Sequence, residues 1–237
     1  MRQSNGYIIF FASILAIVCA GLLVAANLGL KDRQTANVEH EQKRNILSTV
    51  MELDEDADVE GLYAEKVREV VVNSKGEIQQ GITPKQVVIA SEFKKPAEER
   101  LLPVYQFSSS EDSTKVEFVV FPVFGRGLWD AIWGFIALES DMNTVKGVKF
   151  EHKAETPGLG ARITEDEIQQ RYRGKEIYEG DEIVAVRMMK GEGNDWSGDE
   201  HRVDGMSGAT LTANGVNDML KDYLVAYEGY INKLKTN

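Results

Sequence analysis

The sequence predicts an α+β fold: a mixed, mainly antiparallel sheet domain with packed helices, behind a single N-terminal transmembrane helix. Three observations predict it. The run "YIIFFASILAIVCAGLLVAA" (Tyr7 to Ala26) is apolar almost throughout, and residues 3–30 contain no charged side chain. From about residue 115 the pattern turns to short segments rich in β-branched and aromatic residues, bounded by Gly, Pro or Asn. Near the C-terminus, Val216, Met219, Leu220, Tyr223, Leu224, Tyr227 and Ile231 recur at helical spacing.

The apolar run comes first. Twenty helical residues rising ~1.5 Å each cover ~30 Å, the thickness of a bilayer's hydrocarbon core. A cleaved signal peptide has a shorter apolar region, ~7–15 residues, usually behind a more basic front than Arg2 alone. Residues 1–30 therefore read as a retained anchor. Lipidation at Cys19 is disfavoured, because "AIV" before it lacks a small residue next to the cysteine and the apolar run continues past it.

Residues 31–56 read as a polar stalk helix, with Val38, Gln42, Ile46, Val50 and Leu53 near one stripe, and 57–237 as the domain beyond it. A helix over 59–71 places Val59, Leu62, Val67, Val70 and Val71 on one side, and Asn73 to Glu77 reads as a turn. "KVEFVVFPV", "WGFIALES", "TVKGVKFEHK" and "DEIVAVRMM" read as strands. Short links among them imply antiparallel pairing. Between the last two, Thr164 and Glu167 have capping-box spacing, and Gly174 suits a helix stop. The stretch 73–115 carries no further signal. Met188, Met189 and the C-terminal stripe read as core.

Charge and residue types exclude several functions. The chain carries −11, and without Arg2 residues 31–237 carry −12. Nucleic acid and anionic lipid surfaces are poor partners for such a domain. The single cysteine lies in the apolar run, and His40, His152 and His201 are far apart, so no metal-ligand spacing exists. "PGLGARI" has Ile163 where a dinucleotide fingerprint needs glycine. "GMSGA" falls one residue short of a nucleophile elbow. The acidic stretch Gly191 to Glu200 lacks the order of a calcium loop and reads as a solvated loop. Any chemistry must come from oxygen and nitrogen groups or from a bound cofactor.

"DGMSGATLT" (Asp204 to Thr212) supplies the candidate. It packs Gly205, Gly208 and Ala209 among the hydroxyls of Ser207, Thr210 and Thr212, just ahead of the strongest helix pattern. A helix cap at Thr212 or Asn214 accounts for one hydroxyl and leaves the small residues unexplained. A helix start that receives a phosphate uses them all. Helix N-termini offer free N–H groups and partial positive charge, small residues let a ligand approach, and hydroxyls bond or esterify phosphate.

The same residues carry a resemblance. "DGMSGAT" resembles the motif at which flavin transferases attach FMN to threonine, and "ETPGLG" (Glu155 to Gly160) resembles its companion in the same FMN-binding domain. The stretch Gly127 to Ile163, followed by "DGMSGATLTANGV", is similar to the C subunits of sodium-translocating NADH:quinone oxidoreductases. The G subunits of Rnf electron-transport complexes share both motifs. The likeness covers about residues 119–225, and the anchor and stalk in layout.

The resemblance implies FMN held covalently through a phosphoester to Thr210. It implies Ser207, Thr212 and nearby amides on the phosphate, with Gly205, Gly208 and Ala209 keeping the approach clear. Asp204 would hold the loop or serve recognition by the transferase. Glu155, Thr156, Gly158 and Gly160 would line the ring, with Leu159 against its face and Trp129 either beside it or in the core. The implied role is to relay electrons among other membrane subunits of the complex, with no substrate chemistry of its own. A flavin transferase is implied as the partner in maturation. The implied place is the outer, periplasmic face of the bacterial inner membrane. Lys31, Arg33, Lys43 and Arg44, taken alone, point the domain inward instead. A membrane-tethered scaffold without redox activity is the competing class, and the intactness of both motifs favours the carrier.

Overall fold

The computed structural model describes residues 4–108 and 115–235. The chain divides into two compact units, Met1–Lys43 and Arg44–Asn237. Helix α1 (Asn5–Ser48) covers the apolar run and most of the predicted stalk. It contains a segment long and apolar enough to cross a membrane, and that segment's side chains are not buried by protein. Its end at Ser48 falls short of the predicted stalk: the chain turns at Thr49 and Val50, where the Thr49 hydroxyl donates to the Ile46 carbonyl at 2.6 Å, and Arg44 donates to the Asp54 carbonyl at 2.9 Å.

The second unit is built on a five-stranded antiparallel meander, β1 (Val67–Val72), β2 (Leu102–Ser108), β3 (Val116–Arg126), β4 (Ala131–Glu139) and β5 (Val145–His152), in that spatial order. Around it lie α2 (Val59–Lys66), α3 (Ile89–Glu92) and α4 (Asp166–Gln170). Then come the two-residue strand pairs β6 (Tyr178–Glu179) with β7 (Glu182–Ile183), and β8 (Arg187–Met188) with β9 (Arg202–Val203). The long α5 (Thr210–Lys235) closes the chain's described part.

Three expectations are corrected. The helix expected over 59–71 stops at Lys66, and "VREVVV" is strand β1, paired from Val67↔Phe107 to Val72↔Leu102. Its β-branched run gains a full ladder from β2, which lies in the stretch left unassigned, and that long-range pairing outweighs a local helical stripe. Thr164 is no helix cap: its hydroxyl donates to the Ala161 carbonyl within a 3-10 turn, and α4 starts at Asp166. "DEIVAVRMM" is two short strands, separated where Ala185 takes the left-handed φ of 60°.

The sheet alternates with period two, so β2, β3 and β4 each feed two cores. Val119, Phe121 and Val123 of β3 face the cluster that α5 covers, while Val120 joins the opposite cluster with Ile46, Leu47, Val59, Tyr63 and Phe135. The α5 stripe buries all seven predicted residues. Phe121 and Tyr227, both fully buried, hold ring centroids 4.6 Å apart. Burying one such ring contributes roughly 1.5–3 kcal/mol. Where the α5 start crosses the end of β3, Gly215 leaves no room for a side chain: a Cβ there would lie 2.3 Å from the Arg126 carbonyl oxygen. This close crossing brings Thr210 to Thr212 beside the β3–β4 turn and the segment after β5.

Candidate functional site

The loop before α5 is shaped by two different glycines. Gly205 is buried under the carbonyls of Met189 and Gly191, with no space for a Cβ. Gly208 has φ +73°, a conformation that costs other residues about 1 kcal/mol or more, and a Cβ there would meet Leu159 Cδ2 at 2.9 Å. The two sequence motifs therefore touch at Gly208 and Leu159. Ala213 N–H donates to the Ala209 carbonyl at 2.9 Å, opening the helical ladder. The amides of Thr210, Leu211 and Thr212 lead that helix, at its positive end.

Thr210 is half-buried, and its hydroxyl makes no hydrogen bond to another described residue. Ser207 is exposed on the same loop. Thr212 has a different place from the expected one. It is buried, and its hydroxyl donates to Glu155 Oε2 at 2.7 Å, linking the two motifs instead of facing a ligand. Glu155 is also buried and accepts the Trp129 backbone N–H on Oε1 at 2.9 Å. Gly127 and Gly160 surround this carboxylate so closely that a Cβ on either would fall 2.4–2.5 Å from one of its oxygens. Glu155 thus belongs to the frame of the site, where a ring-lining role was expected.

Exposed apolar side chains occur in both motifs and in the β3–β4 turn. Leu159 is 41% exposed, Leu211 60% and Trp129 68%, which removes Trp129 from the core. The Trp129 indole N–H donates to Thr156 Oγ1 at 3.1 Å, fixing the ring edge against the "ETPGLG" segment. Gly158 carries φ +74° in open space. Trp129 also lines a cleft of about 770 Å³ with Phe93, Phe124, Trp133, Lys94 and Arg126. Phe93 and Lys94 come from the stretch whose sequence gave no signal.

The acidic loop Gly191 to Glu200, expected to be merely solvated, grips the motif. Asp204 accepts the amides of Gly193 (2.6 Å) and Asn194 (3.2 Å). Burial opposes its charge, and these donors together with Asn194's side chain outweigh it, holding its carboxyl below the usual range. Glu192 Oε2 accepts the Ser207 backbone N–H at 3.0 Å, while the Arg162 guanidinium engages both its oxygens at 2.8 and 2.9 Å. Arg162, then the Ser207 amide, pull the Glu192 carboxyl down to about 2. The Ser207 amide is thereby occupied, while its side chain is exposed. Sequence reasoning missed Glu192, Arg162 and Arg171; the position of Arg162, two residues past Gly160, was the available signal.

The arrangement fits a flavin phosphate: a hydroxyl with no hydrogen-bond partner among the described residues, leading helix amides, a Cβ-free approach at Gly208, and exposed apolar groups for a planar ring. Comparison with known proteins points to the same cofactor. The FMN-binding domain family matches residues 127–225. The C subunit of the Na(+)-translocating NADH-quinone reductase of Neisseria meningitidis (serogroup A) is 30% identical over 239 residues, covering 94% of this chain and 91% of that one. The chain belongs to the family of C subunits of Na(+)-translocating NADH-quinone reductases. The Vibrio campbellii member is 31% identical, covering 85% of this chain and 84% of its own. The crystal structure of the Parabacteroides distasonis member superposes with a TM-score of 0.73 at 28% identity, over 85% of this chain and 96% of that one. The Shewanella oneidensis member gives 0.72 at 25% identity, over 85% and 100%. Members of this family are subunits of an oxidoreductase complex, and the present member is an FMN-binding, membrane-anchored one.

Proposed function

We propose that this chain carries FMN esterified to Thr210 Oγ1 and relays electrons within a sodium-translocating NADH:quinone oxidoreductase. The observation that carries the reading is the Thr210 hydroxyl itself. It stands at the first turn of α5, half-buried, free of described hydrogen-bond partners, and flanked by the two motifs that touch through Gly208 and Leu159. When bound, FMN supplies one- and two-electron redox chemistry.

The residues divide the remaining work. Thr210 Oγ1 would supply the oxygen of the ester and give up its proton to solvent, the bond broken being the phosphoanhydride P–O bond of a flavin dinucleotide, whose nucleoside monophosphate would depart with the bonding electrons. The leading amides of α5 and the Ser207 hydroxyl stabilise the phosphate. Leu159, Leu211 and Trp129 offer the ring an apolar shelf, with Thr156 orienting the indole. Gly158, with open space about it, keeps that shelf clear, while Ala209, expected beside the approach, is buried in the core beneath the loop. Attachment through the phosphate leaves the ring's electronics unaltered and converts a binding equilibrium into a permanent local concentration.

This reading includes maturation by a flavin transferase, electron exchange with neighbouring membrane subunits, and a domain on the periplasmic face. An exposed shelf supports electron exchange, since a relay needs its cofactor edge near a partner. The test is direct. Denatured full-length protein from a host with the transferase should give a fluorescent gel band under ultraviolet light, and Thr210→Val should give none. Intact mass should exceed the polypeptide's by one FMN less water. A dark wild-type band of unmodified mass would reject the carrier and leave the tethered scaffold.

A further inference from the structure

Two carboxylates join the motifs, and only Glu155 belongs to one of them. The other, Glu192, comes from the loop after β8. Arg162 Nη2 and Nη1 meet Glu192 Oε1 and Oε2 at 2.8 and 2.9 Å, a fork-to-fork pairing that fixes the plane of the carboxylate. Oε2 then takes the Ser207 N–H at 3.0 Å. Arg171, just past α4, approaches Oε1 with Nη2 at 3.4 Å and gives Nη1 to the carbonyls of Gly205 (2.6 Å) and Asp204 (3.3 Å). One ionic network thus holds Asp204, Gly205 and Ser207 by their backbones and connects them to the segment after Gly160.

Its location separates it from an ordinary surface ion pair. The side chains of Arg162, Arg171 and Glu192 are 19%, 16% and 24% exposed, so they are shielded more than the exposed pairs whose contribution is close to nothing. Among the described residues, none of these three side chains bonds Thr210. The network acts on the loop that leads to the threonine and leaves the hydroxyl accessible.

Transfer onto a hydroxyl needs the oxygen ~3–3.5 Å from phosphorus and in line, and a misplacement of ~1 Å can cost about a hundredfold in rate. A loop with Gly205 and a left-handed Gly208 spreads over many conformers unless something outside it selects one. We infer that Glu192 is a positioning residue for flavin attachment: with Arg162 and Arg171 it holds the Asp204–Ser207 loop in the conformation that presents Thr210 to the flavin transferase. The inference rests on the reading of Thr210 as the attachment site. Because the clamp orders the acceptor within the transferase complex and is not itself a docking contact, its loss acts on kcat and leaves KM for the chain nearly unchanged.

The experiment follows attachment to the full-length chain in detergent, with a flavin transferase and flavin adenine dinucleotide, a phosphoanhydride of FMN, by gel fluorescence over a range of chain concentrations. Glu192→Ala should lower kcat at least tenfold, with KM within twofold of wild type. Glu192→Gln keeps an oxygen for the Ser207 amide but loses the charge opposite Arg162, so its kcat should fall between the two. It is nearly isosteric and serves as the folded comparison if the alanine variant unfolds. In a double-mutant cycle, Arg162→Lys added to Glu192→Gln should cost less than the sum of the two separate losses. Wild-type kcat in both Glu192 variants, or a loss confined to KM, overturns the role of Glu192 alone. A wild-type chain that accepts no flavin defeats the Thr210 reading, and this inference with it.

Discussion

The Thr212 hydroxyl donates to Glu155 Oε2 at 2.7 Å across 57 residues of sequence, and both side chains are buried. This bond joins the two flavin motifs inside the protein. Thr212→Val keeps the volume and removes the donor, leaving a buried carboxylate oxygen without its partner. The expected cost is about 2 kcal/mol, which in a domain of this size lowers Tm by roughly 4–8 °C. Thermal unfolding measures it. A melting temperature equal to wild type would mean that solvent reaches Glu155 freely and that the pair is not a fastener.

Gly160 and Gly158 lie two residues apart in one motif and should respond differently to alanine. A Cβ at Gly160 would lie 2.4 Å from Thr212 Oγ1 and 2.5 Å from Glu155 Oε2, atoms pinned by their own bond. Gly160→Ala should therefore cost roughly 1–3 kcal/mol through overpacking and slow flavin attachment as the motifs separate. Gly158 has open space, so Gly158→Ala meets only the strain of φ +74°, about 1 kcal/mol. Equal unfolding midpoints, with equal attachment rates, would contradict the proposed wedge at Gly160.

The strands β3, β4 and β5 and the stripe of α5 were legible because each shows its own periodicity to a reader of the sequence. Strand β1 was not, since "VREVVV" fits a helical stripe until its ladder with β2 is known. The motifs single out Thr210, Ser207 and Leu159 as candidates by residue type and order, but do not reveal the inward turn of Thr212 and Glu155. Which hydroxyl faces outward depends on how α5 crosses β3 at Gly215, a tertiary fact. Glu192 was invisible for a related reason. A glutamate in an acidic loop looks solvated unless Arg162 and the Ser207 amide are placed against it.

Trp129 offers a probe that separates structure from cofactor. Its side chain is largely exposed and held by one bond to Thr156, so Trp129→Ala should shift unfolding free energy by only about 0.5 kcal/mol. In flavin-loaded protein the same change removes an aromatic neighbour from the shelf, and should alter flavin emission intensity and the midpoint potential. Redox titration and steady-state fluorescence of loaded wild type and variant provide the comparison. Unchanged flavin properties beside an intact fold would place the ring elsewhere than on the Trp129 side.

Acid should loosen the site from the Glu192 side. Its folded carboxyl titrates at about 2, below the ordinary glutamate value, because Arg162 and the Ser207 amide favour the charged form. The unfolded chain therefore takes up this proton first as pH falls. Glu192's stabilisation is fully present above the ordinary value of about 4.5, declines below it, and is gone once pH passes below about 2. Other carboxylates, Asp204 and Asp141 among them, are also held below their ordinary value, so the wild-type curve alone does not isolate Glu192. The difference in unfolding free energy between wild type and Glu192→Gln does. That difference should be constant from neutral pH to about 5, then shrink toward pH 2 as the wild type loses what the variant lacks throughout. A pH-independent difference across that window would show that the Arg162–Glu192 pair contributes no charge-dependent stability.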